Sequence, residues 1–252
     1  MKISVITIAY NSADTIGDTL RSIAAQGYPE VEHVVVDGGS TDATLDLVKQ
    51  LGSRVGKLVS EKDRGIYDAM NKGIALASGD VIGTLNSDDM YADADVLAEV
   101  AKVFADPTVD ACYADLVYVD RDSASRVSRY WQSSPFRPGL FARGWCPPHP
   151  TFFVRREVYE RLGVFDLRYT LAADVILMMK FLEIARIKTV HVPKVWIKMR
   201  QGGVTNNSLR NILKQNREIL RAAREMGLPI GLAQFVVAKI FDRARQVLKS
   251  RC

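Results

Sequence analysis

Residues 3 to 89 alternate between short β-branched runs and segments of helical spacing, and this rhythm limits the chain to very few folds. Ile3 to Ala9 (ISVITIA) reads as a buried strand, and Ile16, Leu20, Ile23 and Ala24 follow at helical spacing before a stop at Gly27. Val31 to Val36 is a second strand, ending at Asp37-Gly38-Gly39-Ser40. Thr41 or Asp42 then caps a helix carrying Leu45, Leu47, Val48 and Leu51. Lys57 to Ser60 reads as a third strand, Ile66 to Ala77 as a helix, and Val81 to Leu85 as a fourth strand that stops at Asn86-Ser87-Asp88-Asp89. Strand and helix in this order predict a parallel sheet with helices on both faces.

Past residue 110 the rhythm changes. Ala111 to Val119 and Arg126 to Trp131 read as strands, and a loop rich in Pro, Gly and aromatic residues runs through Pro150. Helices are predicted over Glu157 to Gly163 and Ala172 to Ala185, and two further strands over Ile187 to Val192 and Val195 to Arg200. Gln201-Gly202-Gly203 breaks the chain ahead of a long helix from about Ser208 to Met226 and a last one from about Ile230 to Lys249. The reading is an α/β domain over residues 1–205 with a helical C-terminal extension over 206–252.

In a sheet of this kind ligands bind beyond the carboxyl ends of the strands. Polar or acidic groups close three of the four: Tyr10-Asn11, Asp37 and Asp88-Asp89. The chain has neither a GxGxxG after its first strand nor a GxxxxGK[ST], so the common dinucleotide and triphosphate cradles are missing. An acidic crevice that must hold phosphate needs a divalent cation between the two, and oxygen ligands suit Mg²⁺ or Mn²⁺.

Five blocks in order, ISVITIAYN from Ile3, VVVDGGSTD from Val34, SEKDRGIYDAMNKG from Ser60, LNSDDMY from Leu85 and HPTFFVRREVYERLGVFD from His149, continue into LAAD at Leu171. Together they resemble a family 2 glycosyltransferase of the GT-A fold over roughly residues 1 to 205. The resemblance implies a mainly parallel α/β sheet flanked by helices. It also implies a metal-dependent, inverting enzyme that moves one sugar from a nucleotide-diphosphate donor to an acceptor hydroxyl. The processive members carry a QxxRW-type segment and membrane spans; Arg200-Gln-Gly-Gly stands here instead, which points to single-sugar addition.

Site residues follow from the same likeness. Asp37 matches the aspartate that hydrogen-bonds the donor base, or it opens an Asx turn over Asp-Gly-Gly-Ser. Thr7 and Tyr10 match nucleotide-contacting positions, or serve as packing and turn residues. Asp88 and Asp89 match a DxD-like element, with Asn86 departing from a strict DxD. Asp89 is assigned to Mn²⁺ or Mg²⁺, and Asp88 to the ribose or the shared metal; the alternative is a cap on a helix near Asp93. Arg64 reaches base or phosphates, or pairs with Glu61, Asp63 or Asp68, and Asn71-Lys72 is read as structural support. Asp174 matches the catalytic base, alone because Ala173 replaces a second acid. His149 flanks the acceptor or donor phosphate, Trp145 stacks on a sugar or packs in its Pro-rich loop, and Gly202 to Thr205 resembles a loop closing over the pyrophosphate.

The formal charge of +5 sits in the tail: residues 206–252 hold ten Lys and Arg against three Asp and Glu. A nucleic-acid surface is therefore not indicated. Ala233, Val236, Val237, Ile240, Phe241, Ala244, Val247 and Leu248 form a stripe opposite Lys239, Arg243 and Lys249. Such a helix over 230–250 lies on an anionic membrane, where a lipid-linked glycan acceptor would be met, or packs on the domain or in a homodimer. A soluble glycan acceptor suits the latter. Three cysteines that form no CxxC and leave one unpaired, with no signal or spanning segment, give a cytoplasmic expectation, peripheral at the membrane face if the tail binds lipid. Two rivals remain. A nucleotidyltransferase needs a basic Gly-rich loop that Tyr10-Asn-Ser-Ala-Asp does not supply, and a catalytically inactive scaffold or glycan-binding protein would keep the same fold.

Overall fold

The structure, a computed structural model, describes residues 1–121, 123–202, 208–231 and 235. In chain order the elements are β1 (Ile3–Ala9), α1 (Ile16–Ala24), β2 (Val31–Asp37), α2 (Thr44–Leu51), β3 (Val55–Ser60), α3 (Ile66–Leu76), β4 (Val81–Thr84), β5 (Met90–Tyr91) and α4 (Val96–Val103). There follow β6 (Ala111–Val119), β7 (Val127–Trp131), β8 (Phe153–Arg155), α5 (Arg156–Leu162), α6 (Ala173–Met179), β9 (Thr189–Arg200) and α7 (Leu209–Glu225). They form one sheet in the order β3-β2-β1-β4-β8-β6-β9-β5, with β7 alongside β6.

The first four strands are parallel, as the alternation predicts. β8 is antiparallel to both β4 and β6, so β6 and its parallel partner β9 run in the sense of the first four. The carboxyl ends of β1 to β4, β6 and β9 therefore share one edge, while β5, β7 and β8 run the other way. Every residue of β1 is buried because helices cover both faces. Alternate residues point to different layers: Ile3 and Val5 share a buried cluster with Ile23 of α1 and Leu97 of α4, while Ile6 and Ile8 share another with Met70 of α3 and Leu177 of α6. α3 lies tight on β1 because Gly73 has no side chain; a Cβ there would sit 2.3 Å from Ile6 Cγ2.

Three expectations change. The two strands predicted over 187 to 200 are one, β9, whose register against β6 jumps from Ala114↔Val192 to Asp115↔Val195. Pro193 has no N–H to give the ladder, so it and Lys194 bulge out and pairing resumes. The helix predicted to Ala185 ends as α6 at Met179 and widens into a π-helical turn over Lys180–Ile184. Ala43, with no side-chain bond, precedes α2; Asp42 instead accepts from the Thr44 N–H at 3.0 Å.

The boundary drawn near residue 205 is not a boundary of the core. α7 buries Ile219, Ala222 and Ala223 in the same cluster as α3 and α6. Ser208 caps it, its hydroxyl accepting from the Asn211 N–H at 3.1 Å. The loop over Gly203 to Thr205 and nearly all of the last predicted helix lie outside the described residues. No helix among the described residues is long and apolar enough to cross a membrane.

At the opposite edge Glu32 ties β2 to its neighbours. Its carboxylate accepts from Ser4 Oγ at 2.5 Å, the Ser78 N–H and Ser78 Oγ at 2.8 Å, and Lys2 Nζ at 3.2 Å. Burial raises its pKa, but these donors outweigh that and hold it at about 2. Its stabilisation is thus complete above about pH 4.5 and fades as pH falls toward 2. Glu32→Gln is expected to cost about 2 kcal/mol at pH 7, allowing for the solvated lysines. Urea melts should show the gap from wild type closing between those two pH values.

Candidate active site

The carboxyl edge gathers three groups of side chains. In the first, the loops after β1, β2 and β3 are laced together. The Gly38 N–H donates to the Ala9 carbonyl at 2.8 Å, and the Glu61 N–H to that of Asp37 at 3.0 Å. Asn11, in the left-handed region at φ 47°, accepts from the Thr41 N–H at 2.9 Å while its own N–H donates to Ser40 Oγ at 2.8 Å. Asp37 is fully buried at the centre: one oxygen accepts from the Gly39 N–H at 3.0 Å, the Ser40 N–H at 2.9 Å and Ser60 Oγ at 2.6 Å, and the other from the Ser40 hydroxyl. This is the turn-forming alternative, and a carboxylate so committed has little acceptor capacity left for a base. Tyr10, by contrast, is 64% exposed on the lip of this loop.

Thr7 does not reach the crevice. It is fully buried within β1, its hydroxyl 3.0 Å from His33 Nε2, so the nucleotide contact gives way to the packing alternative. Burial brings His33 down to about 4, which keeps that ring neutral near pH 7.

The second group is acidic. Asp89 is fully buried and Asp88 partly so, at the turn after β4. Burial raises the pKa of both carboxyls, and the charge of Asp88 raises Asp89 further. Neither caps α4, which begins at Val96 after Asp95. Arg200, at the end of β9, closes round them. Its N–H donates to Asp89 Oδ1 at 3.3 Å, its Nη1 to the Asp88 carbonyl at 3.4 Å, and its guanidinium pairs with Asp18. Among the described residues no three His, Cys, Asp or Glu side chains are grouped to hold a metal. The donor set is two carboxylates at a sheet edge, which fits a hard cation whose remaining ligands are phosphate oxygens and water.

The third group surrounds Asp174 in the first turn of α6. Tyr67 Oη, in the first turn of α3, donates to Asp174 Oδ1 at 2.9 Å; burial and that carboxylate push the phenol well up, so it keeps its proton. Tyr67 stacks on Phe165 at 5.5 Å, and His149 meets the edge of Phe165 at 5.7 Å. Burial lowers His149 against an opposing pull from Asp174. Asn71 holds Phe165 in place, donating to its carbonyl at 2.9 Å and accepting from its N–H at 3.0 Å, the support expected of it. From α7, Glu218 accepts from the Leu171 and Ala172 N–H groups at 2.9 and 3.1 Å, fixing the loop that carries Asp174.

Trp145 packs instead of offering a sugar platform: Phe136, Phe141 and Tyr113 crowd its ring at 5.8, 5.5 and 6.0 Å. Arg64 stands 79% exposed and pairs with Asp68 at 3.0 Å, the ion-pair alternative. The sequence reading singles out none of Tyr67, Arg200 and Glu218, although Tyr67 lies inside the SEKDRGIYDAMNKG block and Arg200 heads Arg200-Gln-Gly-Gly. Glu218 has no motif at all, and only its place on α7 opposite the Asp174 loop marks it.

Comparison with known proteins decides the family. The sequence model described as glycosyl transferase family 2 matches residues 4–163. The chain belongs to that family. A PGL/p-HBAD biosynthesis glycosyltransferase of Mycobacterium bovis is 36% identical over 174 residues, which are 68% of this chain and 66% of that relative. The chain thus spans just under two thirds of the length of such relatives. Among solved structures, Staphylococcus aureus TarS 1–349 superposes with a TM-score of 0.69 at 22% identity, covering 94% of this chain and 71% of TarS. The mannosyltransferase PcManGT of Pyrobaculum calidifontis, solved with GDP-Man and Mn²⁺, gives 0.65 at 21%, covering 99% of this chain and 73% of that one. The fold is the GT-A fold.

Proposed function

We propose that this glycosyltransferase moves one sugar from a nucleoside diphosphate donor to an acceptor hydroxyl, with inversion at the anomeric carbon. The observation that carries the reading is Asp174, held by Tyr67 on the same sheet edge as the paired carboxylates Asp88 and Asp89. Asp174 takes the proton of the acceptor hydroxyl as that oxygen bonds to the anomeric carbon. The bond from that carbon to the β-phosphate oxygen breaks, and the nucleoside diphosphate leaves from the opposite face. Asp88 and Asp89 would hold Mn²⁺ or Mg²⁺, which neutralises the charge gathering on the leaving diphosphate. Tyr10 offers its exposed ring to the nucleotide, and His149, beside Asp174, faces the acceptor.

Nucleotide-sugar donors are supported by neighbours of the same fold: TarS structures with UDP and UDP-GlcNAc, and PcManGT with GDP-Man and Mn²⁺. For the acceptor we favour a lipid-linked glycan at the cytoplasmic face of a membrane, on the strength of the basic amphipathic pattern over 230–250. The test is calorimetric titration with UDP-, GDP- and dTDP-sugars, with Mn²⁺ and with chelator, alongside release of nucleoside diphosphate. Metal-dependent binding and turnover of one donor is expected. If no donor binds in either condition, the catalytic reading falls and an inactive scaffold of the same fold replaces it.

A further inference from the structure

α7 carries a charge pattern that the active site does not use. Arg210, Lys214, Arg217, Arg221 and Arg224 recur at intervals of four and three residues. At 3.6 residues per turn they fall within an arc of roughly 80° and form a line about 21 Å long. All five are exposed, and the line lies opposite Ile219, Ala222 and Ala223, which the helix buries against the domain. Among the described residues only Arg221 of the five has an acidic partner, Glu225 at 2.8 Å. Such a face costs the helix stability. Like charges three and four apart repel, where a solvated helix gains from alternating Glu and Lys. Arg210 adds to the cost, because it stands in the first turn, at the positive end of the helix dipole, with no acid beside it there.

We propose that this face of α7 docks on an anionic bilayer surface. A straight line of cations matches a plane of phosphate headgroups, and each Lys or Arg near that plane contributes attraction. Leu213, 59% exposed, flanks the line and is placed to enter the headgroup layer. Other polyanionic partners fit less well. A single-stranded nucleic acid is held by aromatic side chains set among the cations, and α7 contains none. A protein partner needs an apolar centre, and Leu213 is the one exposed large apolar side chain among those described on α7. The docking rests for its purpose on the lipid-linked acceptor reading above, and it engages a surface separate from the stretch over 230–250. Its consequence for the site is positional. On the flank of the same helix, Gln215 donates to the Leu171 carbonyl at 3.3 Å, and Glu218 accepts from the Leu171 and Ala172 N–H groups. A docked α7 sets the loop that leads to Asp174 one helix diameter, about 10 Å, from the headgroups, where a lipid-borne hydroxyl can meet it.

The experiment is co-sedimentation of the full chain with phosphatidylcholine vesicles, with and without phosphatidylglycerol, over a range of salt. Wild type should bind the phosphatidylglycerol vesicles, ignore the neutral ones and come off as salt rises. Arg210→Gln, Lys214→Gln and Arg217→Gln combined should weaken binding about a hundredfold, roughly fivefold for each charge removed. Arg210→Lys with Arg217→Lys keeps the charge and should bind as wild type does. The triple variant should melt no lower than wild type, because removing like charges relieves the helix. The proposal is overturned if wild type ignores anionic vesicles, or if the triple variant binds them undiminished while Lys239→Gln with Arg243→Gln and Lys249→Gln abolishes binding. It is equally overturned if the face retains a single-stranded RNA and no vesicle. Transfer to a soluble glycan, measured with and without vesicles, keeps the two readings apart. A chain that docks through α7 yet gains nothing from vesicles loses the lipid-linked acceptor and keeps the docking surface.

Discussion

Replacing Asp174 by Asn is expected to lower turnover of the bound donor by about a hundredfold to ten-thousandfold, the usual span for a lost general base. Donor affinity should change little, since Asp174 bonds to Tyr67 and acts on His149 from the first turn of α6, whereas the acidic pair sits at the turn after β4. The substitution preserves shape, and Asn still accepts from the Tyr67 hydroxyl, so the fold should survive. Release of nucleoside diphosphate at saturating donor gives the rate, and calorimetry gives the affinity. Tyr67→Phe makes the companion variant. It deletes one buried bond, worth about 1 kcal/mol, and frees Asp174 to turn, so it should lower turnover roughly tenfold with the donor KM unchanged. An Asp174→Asn enzyme with undiminished turnover would move the base to another residue, and His149 is the next titratable group in that cluster.

The two ends of this site were unequally legible. Strand ends in a parallel sheet announce their edge, so Tyr10, Asp37, Asp88 and Asp89 stood at the crevice as soon as β1, β2 and β4 were recognised by their β-branched runs. β6 was equally plain, its nine buried residues spanning the bounds read from pattern. β5 and β8 have two and three residues, too short for any period to declare itself, yet β8 is the strand that joins the parallel half to β6. Long-range pairings were invisible for a different reason. Tyr67 and Asp174 are 107 residues apart, and Glu218 meets Leu171 across 47. Neither spacing leaves a trace in local composition. Trp145 shows the converse: an aromatic in a loop looks available until the rings of Phe136, Phe141 and Tyr113 are found against it.

Asp89→Asn should move stability and function in opposite directions. With chelator present, the wild-type chain holds two adjacent carboxylates in a buried turn, one of them fully buried, and Arg200 answers them chiefly with backbone and carbonyl contacts while its guanidinium pairs with Asp18. Asn at position 89 removes one of the two charges and still accepts from the Arg200 N–H. The apoprotein should gain about 1 kcal/mol, or roughly 2 to 4 °C in Tm for a chain of this size. Mn²⁺ with donor should then raise the Tm of wild type and leave that of the variant unmoved, because a ligand stabilises only the form it binds. Turnover should fall by a hundredfold or more. Asp88→Asn, with its side chain partly open to solvent, should lose metal-dependent binding as well but gain less stability. A pair kept only to shape the turn would behave otherwise. Its substitution would lower the Tm in chelator and leave the metal response intact, and that result would remove the cation from these two residues. A carboxylate retained where it costs stability is the mark of a group kept for what it binds.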